Sequence, residues 1–120
     1  MRRKTFLFVS RKAPYGAGQA GEALEAALIA ASLGQEVHLA YLDDGVFQLL
    51  RGQRPEALGT KDFTASLVEL GEYDIDHVWV ERQSLAERGL TEADLLVPAT
   101  LLDRGEMAEI MAGMDVVVSA

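Results

Sequence analysis

Apolar residues fall into short runs along the chain, and these runs alternate with stretches of helical spacing. Strands are predicted at residues 5–10, 37–42, 78–80, 95–101 and 115–119, and helices at 17–33, 46–50, 61–70, 84–89 and 103–113. Near-continuous apolar strands are typical of a parallel sheet that is covered on both faces. The alternation predicts an α/β fold, a three-layer sandwich with a mostly parallel sheet of about five strands, in which residues 1–120 form one domain. Pro98 lacks an N–H for a sheet ladder, so we expect the fourth strand at an edge or a bulge.

Local signals mark where several helices begin and end. Ser84 and Glu87 have the spacing of a capping box, and Asp103 with Glu106 repeats it. We therefore expect one helix to start at Ser84 and another at Asp103. Gly71 is predicted to end the helix over residues 61–70.

The composition limits the chemistry that is open to this chain. Its 120 residues include no cysteine, 49% are apolar and 25% are charged. A chain of this length can bury a sizeable core without disulfides or metal ions. The missing thiols exclude disulfides, zinc–thiolate sites, iron–sulfur clusters and cysteine nucleophiles.

The net charge is −8, from 11 Lys and Arg against 19 Asp and Glu. Residues 1–60 contain seven basic and six acidic side chains, whereas residues 61–120 contain four and thirteen. Binding to nucleic acid or to an anionic membrane requires clustered positive charge, so we expect neither. The acidic half of the chain either solvates the outer faces of helices or forms a partner surface.

The sequence also predicts where the protein resides. No apolar run approaches the roughly 20 residues that span a bilayer. The chain starts with the basic segment 1–4, but the apolar run after it, residues 5–10, is too short for the core of a signal peptide. We therefore expect a cytoplasmic protein without a membrane partner.

A glycine pattern suggests one alternative function. Gly16, Gly18 and Gly21 match Gly-x-Gly-x-x-Gly, and Asp43 and Asp44 follow the next predicted strand. In a dinucleotide-binding fold such glycines admit a pyrophosphate and the acid binds a ribose hydroxyl. Here the first glycine lies several residues beyond the strand end, where the fingerprint does not place it. The loop either needs glycine only for its conformation, or serves a free-standing nucleotide or small-molecule binding module.

Other polar residues have structural interpretations beside catalytic ones. Asp43 and Asp44 could cap the short helix over residues 46–50, or form a general acid/base pair at a strand end. His38 and His77, the two histidines, lie on different predicted strands without the spacing of a zinc site. No Ser–His–Asp set is recognisable, so we expect no catalytic residue, cofactor or metal ion.

The short helix over residues 46–50 has too many apolar faces for a simple surface helix of a monomer. Val46, Phe47, Leu49 and Leu50 surround it. Either another subunit covers part of this helix, or the helix closes one end of its own sheet.

Several segments together resemble a known family. They are Arg11–Gly16 (RKAPYG), Leu42–Gln53 (LDDGVFQLLRGQ), Leu70–Ile75 (LGEYDI), the Trp79–Val80 strand and Ser84–Leu90 (SLAERGL). In these residues the chain resembles the DsrE/DsrF/DsrH-like sulfur-relay proteins, and among them the DsrF/TusC branch. The likeness covers nearly the whole chain.

The resemblance implies a cytoplasmic heterohexamer that passes persulfide sulfur between carrier proteins. This chain would join DsrE/TusD-like and DsrH/TusB-like subunits, two copies of each, in dissimilatory sulfur oxidation or in 2-thiouridine synthesis on tRNA. The catalytic subunit of such a complex carries a cysteine in the loop after the third strand. Here that loop, residues 81–84, has no thiol. The resemblance therefore implies a cysteine-free structural subunit that is not itself an enzyme.

A contact surface toward such subunits is expected at the loop after the first strand and around the short helix. The candidate interface residues are Tyr15, Gly16, Asp44, Val46, Phe47, Leu50 and Arg51. Purified without its relatives, the chain should then be poorly soluble or self-associated.

Overall fold

The computed structural model of the protein describes residues 3–14, 19–53 and 63–119. Its strands are β1 (Thr5–Ser10), β2 (Glu36–Tyr41), β3 (His77–Glu81), β4 (Thr100–Leu102) and β5 (Val116–Ser119). They form one parallel sheet in the order β4-β3-β2-β1-β5. The predicted fold class is thereby confirmed.

Helices cover both faces of this sheet. They are α1 (Gln19–Ser32), α2 (Phe63–Leu67), α3 (Arg82–Glu87) and α4 (Arg104–Ala112), with 3-10 helices at Asp43–Leu49, Leu70–Tyr73 and Glu92–Asp94. One core cluster joins the sheet to α1, α2, α3 and the Asp43–Leu49 helix, and a second cluster joins the opposite face to α4. The result is a three-layer arrangement.

Alternation along the strands produces these two cores. Leu7 and Val9 of β1 pack in the cluster that contains Met107 of α4. Phe8, between them in sequence, packs in the cluster that contains Leu24 of α1. Successive strand residues point to opposite faces, so an uninterrupted apolar run fills both cores.

The second predicted capping box is confirmed. The Asp103 carboxylate accepts a hydrogen bond from the backbone N–H of Glu106 at 2.8 Å, and the Glu106 carboxylate accepts one from the N–H of Asp103 at 3.0 Å. Asp103 is therefore the N-cap of α4, and Gly113 is its C-cap. Both backbone N–H groups bond to a side chain three residues away, so the local sequence was enough to predict where α4 begins.

The predicted helix start at Ser84 is wrong. Helix α3 begins at Arg82, directly after β3, and Ser84 lies inside it with a fully buried side chain. The hydroxyl of Ser84 serves tertiary hydrogen bonds instead of capping, as described below. A cap motif depends on local geometry, and tertiary partners can take over its side chain.

Two further boundaries differ from the prediction. Helix α2 ends at Leu67, and the next 3-10 helix runs through Gly71 and stops at Asp74, which takes the left-handed conformation with φ 58°. Strand β4 is confirmed as an edge strand, although it is shorter than the predicted residues 95–101. Leu95 is buried outside the strand, where it forms an isolated bridge to Leu50.

None of the helices in the described part of the chain is long and apolar enough to cross a membrane.

Candidate functional site

The carboxyl ends of β2, β3 and β4 meet at one edge of the sheet around a buried carboxylate. Glu81 ends β3, and its side chain is only 7% exposed. The Ser84 hydroxyl donates to Glu81 Oε1 at 2.6 Å and accepts from the backbone N–H of Asp43 at 2.8 Å. Arg104 Nε donates to the same Glu81 oxygen at 3.3 Å. One carboxylate thus ties β3 to α3, to the segment after β2 and to α4.

Arg104 compensates the charge of this buried carboxylate. Its guanidinium also contacts Glu87 at the end of α3. The hydrogen bond with Glu81, and then the one with Glu87, raise the pKa of Arg104 above its ordinary value. A buried carboxylate that keeps a permanently charged partner and a hydroxyl donor is suited to hold elements together.

The segment after β2 is pressed against the end of β1. A Cβ atom on Gly45 would lie 1.9 Å from the carbonyl oxygen of Ser10. The same oxygen accepts a hydrogen bond from the N–H of Leu42 at 3.1 Å, and the Gln48 amide donates to the carbonyl of Lys12 at 2.8 Å. No residue larger than glycine fits at position 45.

The helix-cap interpretation of the acidic pair is wrong. The N-cap of the Asp43–Leu49 helix is Leu42, and no side chain caps it. Asp43, at φ 52°, lies 3.7 Å from Arg11, whereas Asp44 accepts from Arg88 at 3.0 Å. Each carboxylate thus has its own arginine, and the acid/base interpretation stays a prediction.

The Asp43–Leu49 helix closes one end of its own sheet through two residues. Val46 and Leu49 are fully buried in the core cluster that contains α1. Val46, a candidate interface residue, therefore has no side-chain surface to offer a partner. The correction follows from which face of the helix meets the sheet, and residue type alone does not determine that.

The remaining interface candidates stay at the surface or fall outside the described residues. Phe47 and Leu50 are half-buried, Asp44 and Arg51 are exposed, and Arg51 Nε donates to the carbonyl of Leu95 at 2.9 Å. Tyr15 and Gly16 lie outside the described residues. So does the start of the glycine loop, residues 16–18, and its binding role stays a prediction.

Two histidines meet at the opposite, amino end of the sheet. His38 of β2 is in register with His77 of β3, and their ring centroids are 4.4 Å apart with nearly parallel planes. The indole N–H of Trp79 donates to Nδ1 of His38 at 3.1 Å, and Nε2 of His38 lies 2.7 Å from the Glu36 carboxylate. Because indole can only donate, Nδ1 is the acceptor and Nε2 carries the proton toward Glu36.

Sequence reasoning missed this cluster because it treated the histidines separately. Glu36 and His38 lie two residues apart on β2, as His77 and Trp79 do on β3, so the side chains of each pair point to the same face of the sheet. The strand register then decides whether the pairs meet, and no local signal gives that register. No group of three or more potential metal ligands occurs in residues 3–14, 19–53 and 63–119.

Acid should weaken the contribution of Glu36 to stability. The hydrogen bond with His38 lowers the pKa of Glu36 below its ordinary value of 4.5. A carboxyl with a lowered folded-state pKa stabilises the fold above its unfolded pKa, and that stabilisation is lost as pH falls through the folded value. We expect Glu36→Gln to lower the free energy of unfolding at pH 7 by a few tenths of a kcal/mol to about 1 kcal/mol, and to have a smaller effect at about pH 3, below the unfolded pKa.

Urea unfolding at both pH values, followed by circular dichroism, measures this difference. Glu25→Gln on the exposed surface of α1 is the control for a lost surface charge. An equal loss for Glu36→Gln at neutral and acid pH would contradict the assignment.

Ser84, the one hydroxyl of residues 81–84, is not an accessible nucleophile. Ser84 is fully buried, its hydroxyl both donates and accepts, and the histidines lie at the other end of β2 and β3. One buried oxygen there, Oε1 of Gln83 in the first turn of α3, has no hydrogen-bond partner.

Comparison with known proteins gives consistent matches over almost the whole chain. The family model described as DsrE/DsrF-like matches residues 4–120. The intracellular sulfur oxidation protein DsrF of Allochromatium vinosum is 39% identical over 97% of this chain and 96% of its own length. Protein TusC of Escherichia coli is 38% identical over 96% of this chain and 98% of its own.

A solved structure shares the fold. The crystal structure of the YchN protein from E. coli matches this fold with a TM-score of 0.81 and 21% sequence identity. The match covers 99% of this chain and 100% of the YchN chain. At this identity the likeness concerns the fold.

Proposed function

Because this chain belongs to the DsrE/DsrF-like family, we propose that it is a cysteine-free, non-catalytic subunit of a sulfur-relay complex. Relatives that match over nearly their full length are named for sulfur oxidation, DsrF, or as protein TusC. On this proposal the chain assembles in the cytoplasm with DsrE/TusD-like and DsrH/TusB-like subunits. The complex handles persulfide sulfur for sulfur oxidation or for tRNA thiolation, and this subunit does not itself bind the nucleic acid.

The observation that carries the proposal is the chemistry of the segment after β3. A persulfide carrier requires a thiolate that reaches its donor and acceptor. Residues 81–84 have no thiol, and their one hydroxyl, on Ser84, is fully buried between Glu81 and Asp43. This supports a subunit that shapes a neighbouring site and leaves the sulfur to a partner.

The surface proposed for contact with those subunits is formed by Asp44, Phe47, Leu50 and Arg51, with Tyr15 and Gly16 from the sequence prediction. Phe47 and Leu50 are apolar and partly exposed beside charged neighbours, as is common in an interface with a polar rim. The orphaned Oε1 of Gln83 lies in α3, which packs against the Asp43–Leu49 helix, and a buried carbonyl normally finds a donor.

A charge at Phe47 should disrupt the complex. We expect Phe47→Asp to reduce co-purification of a co-expressed cysteine-bearing relative by about 10-fold or more, since aromatic residues dominate interface energetics. Sulfur transfer from a persulfidated carrier to an acceptor should fall in parallel, and wild-type chain alone should transfer nothing.

Ile29→Asp is the matched control, because Ile29 is 56% exposed on α1 and the change introduces the same charge. It should leave assembly and transfer unchanged. Transfer by the isolated chain, or a complex whose activity does not depend on this chain, would overturn the proposed function. Full assembly of Phe47→Asp would overturn the assigned surface.

A further inference from the structure

The two edge strands of the sheet, β4 and β5, differ in the features that prevent pairing with another strand. The β4 edge is three residues long, Pro98 precedes it, and a guanidinium nitrogen of Arg82 lies 3.4 Å from its Leu101 carbonyl. Short length, nearby proline and a charged side chain are the features by which proteins prevent unwanted strand pairing. The β5 edge is four residues long, and residues 115–119 include no proline, lysine or arginine. In the described part of the chain β5 pairs with β1 only.

Strand β5 has the composition of a covered strand but an exposed position. Val117 is in register with Leu7, and Val118 with Phe8. Leu7 is 0% and Phe8 8% exposed, whereas Val117 is 46% and Val118 37% exposed. Residues in register share a face, so Val117 extends the α4 face and Val118 the α1 face. A run of three valines is typical of a strand with both faces covered, and here both faces remain open at the edge.

Residues 116–119 of β5 have no charged side chain that would keep a similar strand away. The nearest carboxylate, Asp115, accepts hydrogen bonds from the backbone N–H of Thr5 at 2.8 Å and from its hydroxyl at 3.1 Å. It is directed toward β1 and away from the open edge. Two copies of a chain with net charge −8 repel one another over much of their surface, and β5 is an uncharged strand on which they can meet.

We propose that β5 pairs antiparallel with β5 of a second copy of this chain across a two-fold axis. A two-fold axis perpendicular to the sheet keeps the α4 faces of both copies on one side, and it closes the contact without leading to a fibre. A two-fold axis parallel to the strands would place the same residue of the two copies side by side, with its side chains on opposite faces of the sheet. Neighbouring residues in a pleated sheet point to the same face, so this axis is excluded. The two five-stranded sheets then become one continuous sheet.

The pleat also fixes the register. Opposite residues of an antiparallel pair share a face, so the axis must pass through a residue and not between two. With the axis at Val117, the two Val117 side chains face one another, Val116 faces the other copy's Val118, and Asp115 faces Ser119. Apolar residues then meet apolar residues on both faces, and no like charges stand opposite one another.

The absence of native cysteine makes a disulfide test direct. In full-length Val117→Cys the two cysteines lie directly opposite, at a Cα separation of about 4.5–5.5 Å, within the range for a disulfide. In Val118→Cys they are offset along the strands to roughly 8 Å, beyond that range. Oxidation with diamide should convert Val117→Cys to a covalent dimer at least about 10-fold faster than Val118→Cys or Val68→Cys. Val68, 62% exposed directly after α2, is the control for random collision.

A second measurement does not depend on oxidation. Val117→Lys places like charges opposite one another and should shift the dimer toward monomer at least about 10-fold in sedimentation experiments, while Val68→Lys should not. Equal crosslinking of the three cysteine variants, or an unchanged dimer in Val117→Lys, would overturn the proposal. A third outcome would also overturn the proposal: Val117→Lys no longer binds a co-expressed relative, and Val117→Cys does not crosslink. In that case β5 pairs with the relative and not with a second copy. These outcomes are separate from the Phe47 experiment, so each proposal can fail alone.

Discussion

We expect Gly45→Ala to lower the free energy of unfolding by about 3 kcal/mol. The added methyl group would lie 1.9 Å from the backbone oxygen of Ser10. A backbone atom cannot move aside as a side chain does, so the end of β1 or the Asp43–Leu49 helix must shift. That helix carries Val46 and Leu49 into the core, and a shift there reduces packing as well.

Urea unfolding followed by the fluorescence of Trp79, the one tryptophan, measures this loss. Gly71→Ala is the matched control: no atom lies within 4 Å of the added Cβ and the backbone is not left-handed. That variant should remain within about 0.5 kcal/mol of wild type. Equal stability of the two alanine variants would contradict the close approach at the end of β1.

We expect Ser84→Ala to destabilise the protein by about 2–4 kcal/mol. The substitution removes the donor at 2.6 Å from the buried Glu81 carboxylate and the acceptor of the Asp43 N–H at 2.8 Å. Two buried polar groups lose partners at once, and one of them is charged. Arg104, mostly exposed, remains as the second donor to Glu81.

The Glu81→Gln background separates this explanation from simple loss of packing. In the Glu81→Gln protein, Ser84→Ala should lower the free energy of unfolding by at least about 1 kcal/mol less than in wild type, because the side chain that loses its donor is no longer charged. Ser32→Ala, at an exposed hydroxyl that bonds the Leu28 carbonyl, should stay within about 0.5 kcal/mol. An identical cost of Ser84→Ala in both backgrounds would show that the hydroxyl does not hold the carboxylate.

These two sites show what a sequence can and cannot predict about the carboxyl edge. The sequence placed Gly45 and Ser84 next to strand ends, yet it assigned Ser84 to a helix cap and Asp43 to another. The structure uses Ser84 to join the segments after β2 and β3. Asp43 and Ser84 are 41 residues apart in the chain, so no motif of a few residues contains both.

By itself the sequence determined the α/β class, the parallel character of the strands and the start of α4. Each of these depends on residues that are close together: apolar runs, helical spacing and the reciprocal bonds of Asp103 and Glu106. The absence of cysteine, a property of composition alone, also excluded thiol chemistry.

Only the tertiary structure decided which side chains meet. The register of β2 against β3 brings His38 onto His77, the packing of the Asp43–Leu49 helix buries Val46, and the strand order leaves β5 at an open edge. Register, packing face and strand order are set by the free energy of the whole core, to which distant residues contribute together. For that reason the partners of Ser84 and the exposure of Val117 could not be predicted from their sequence neighbours.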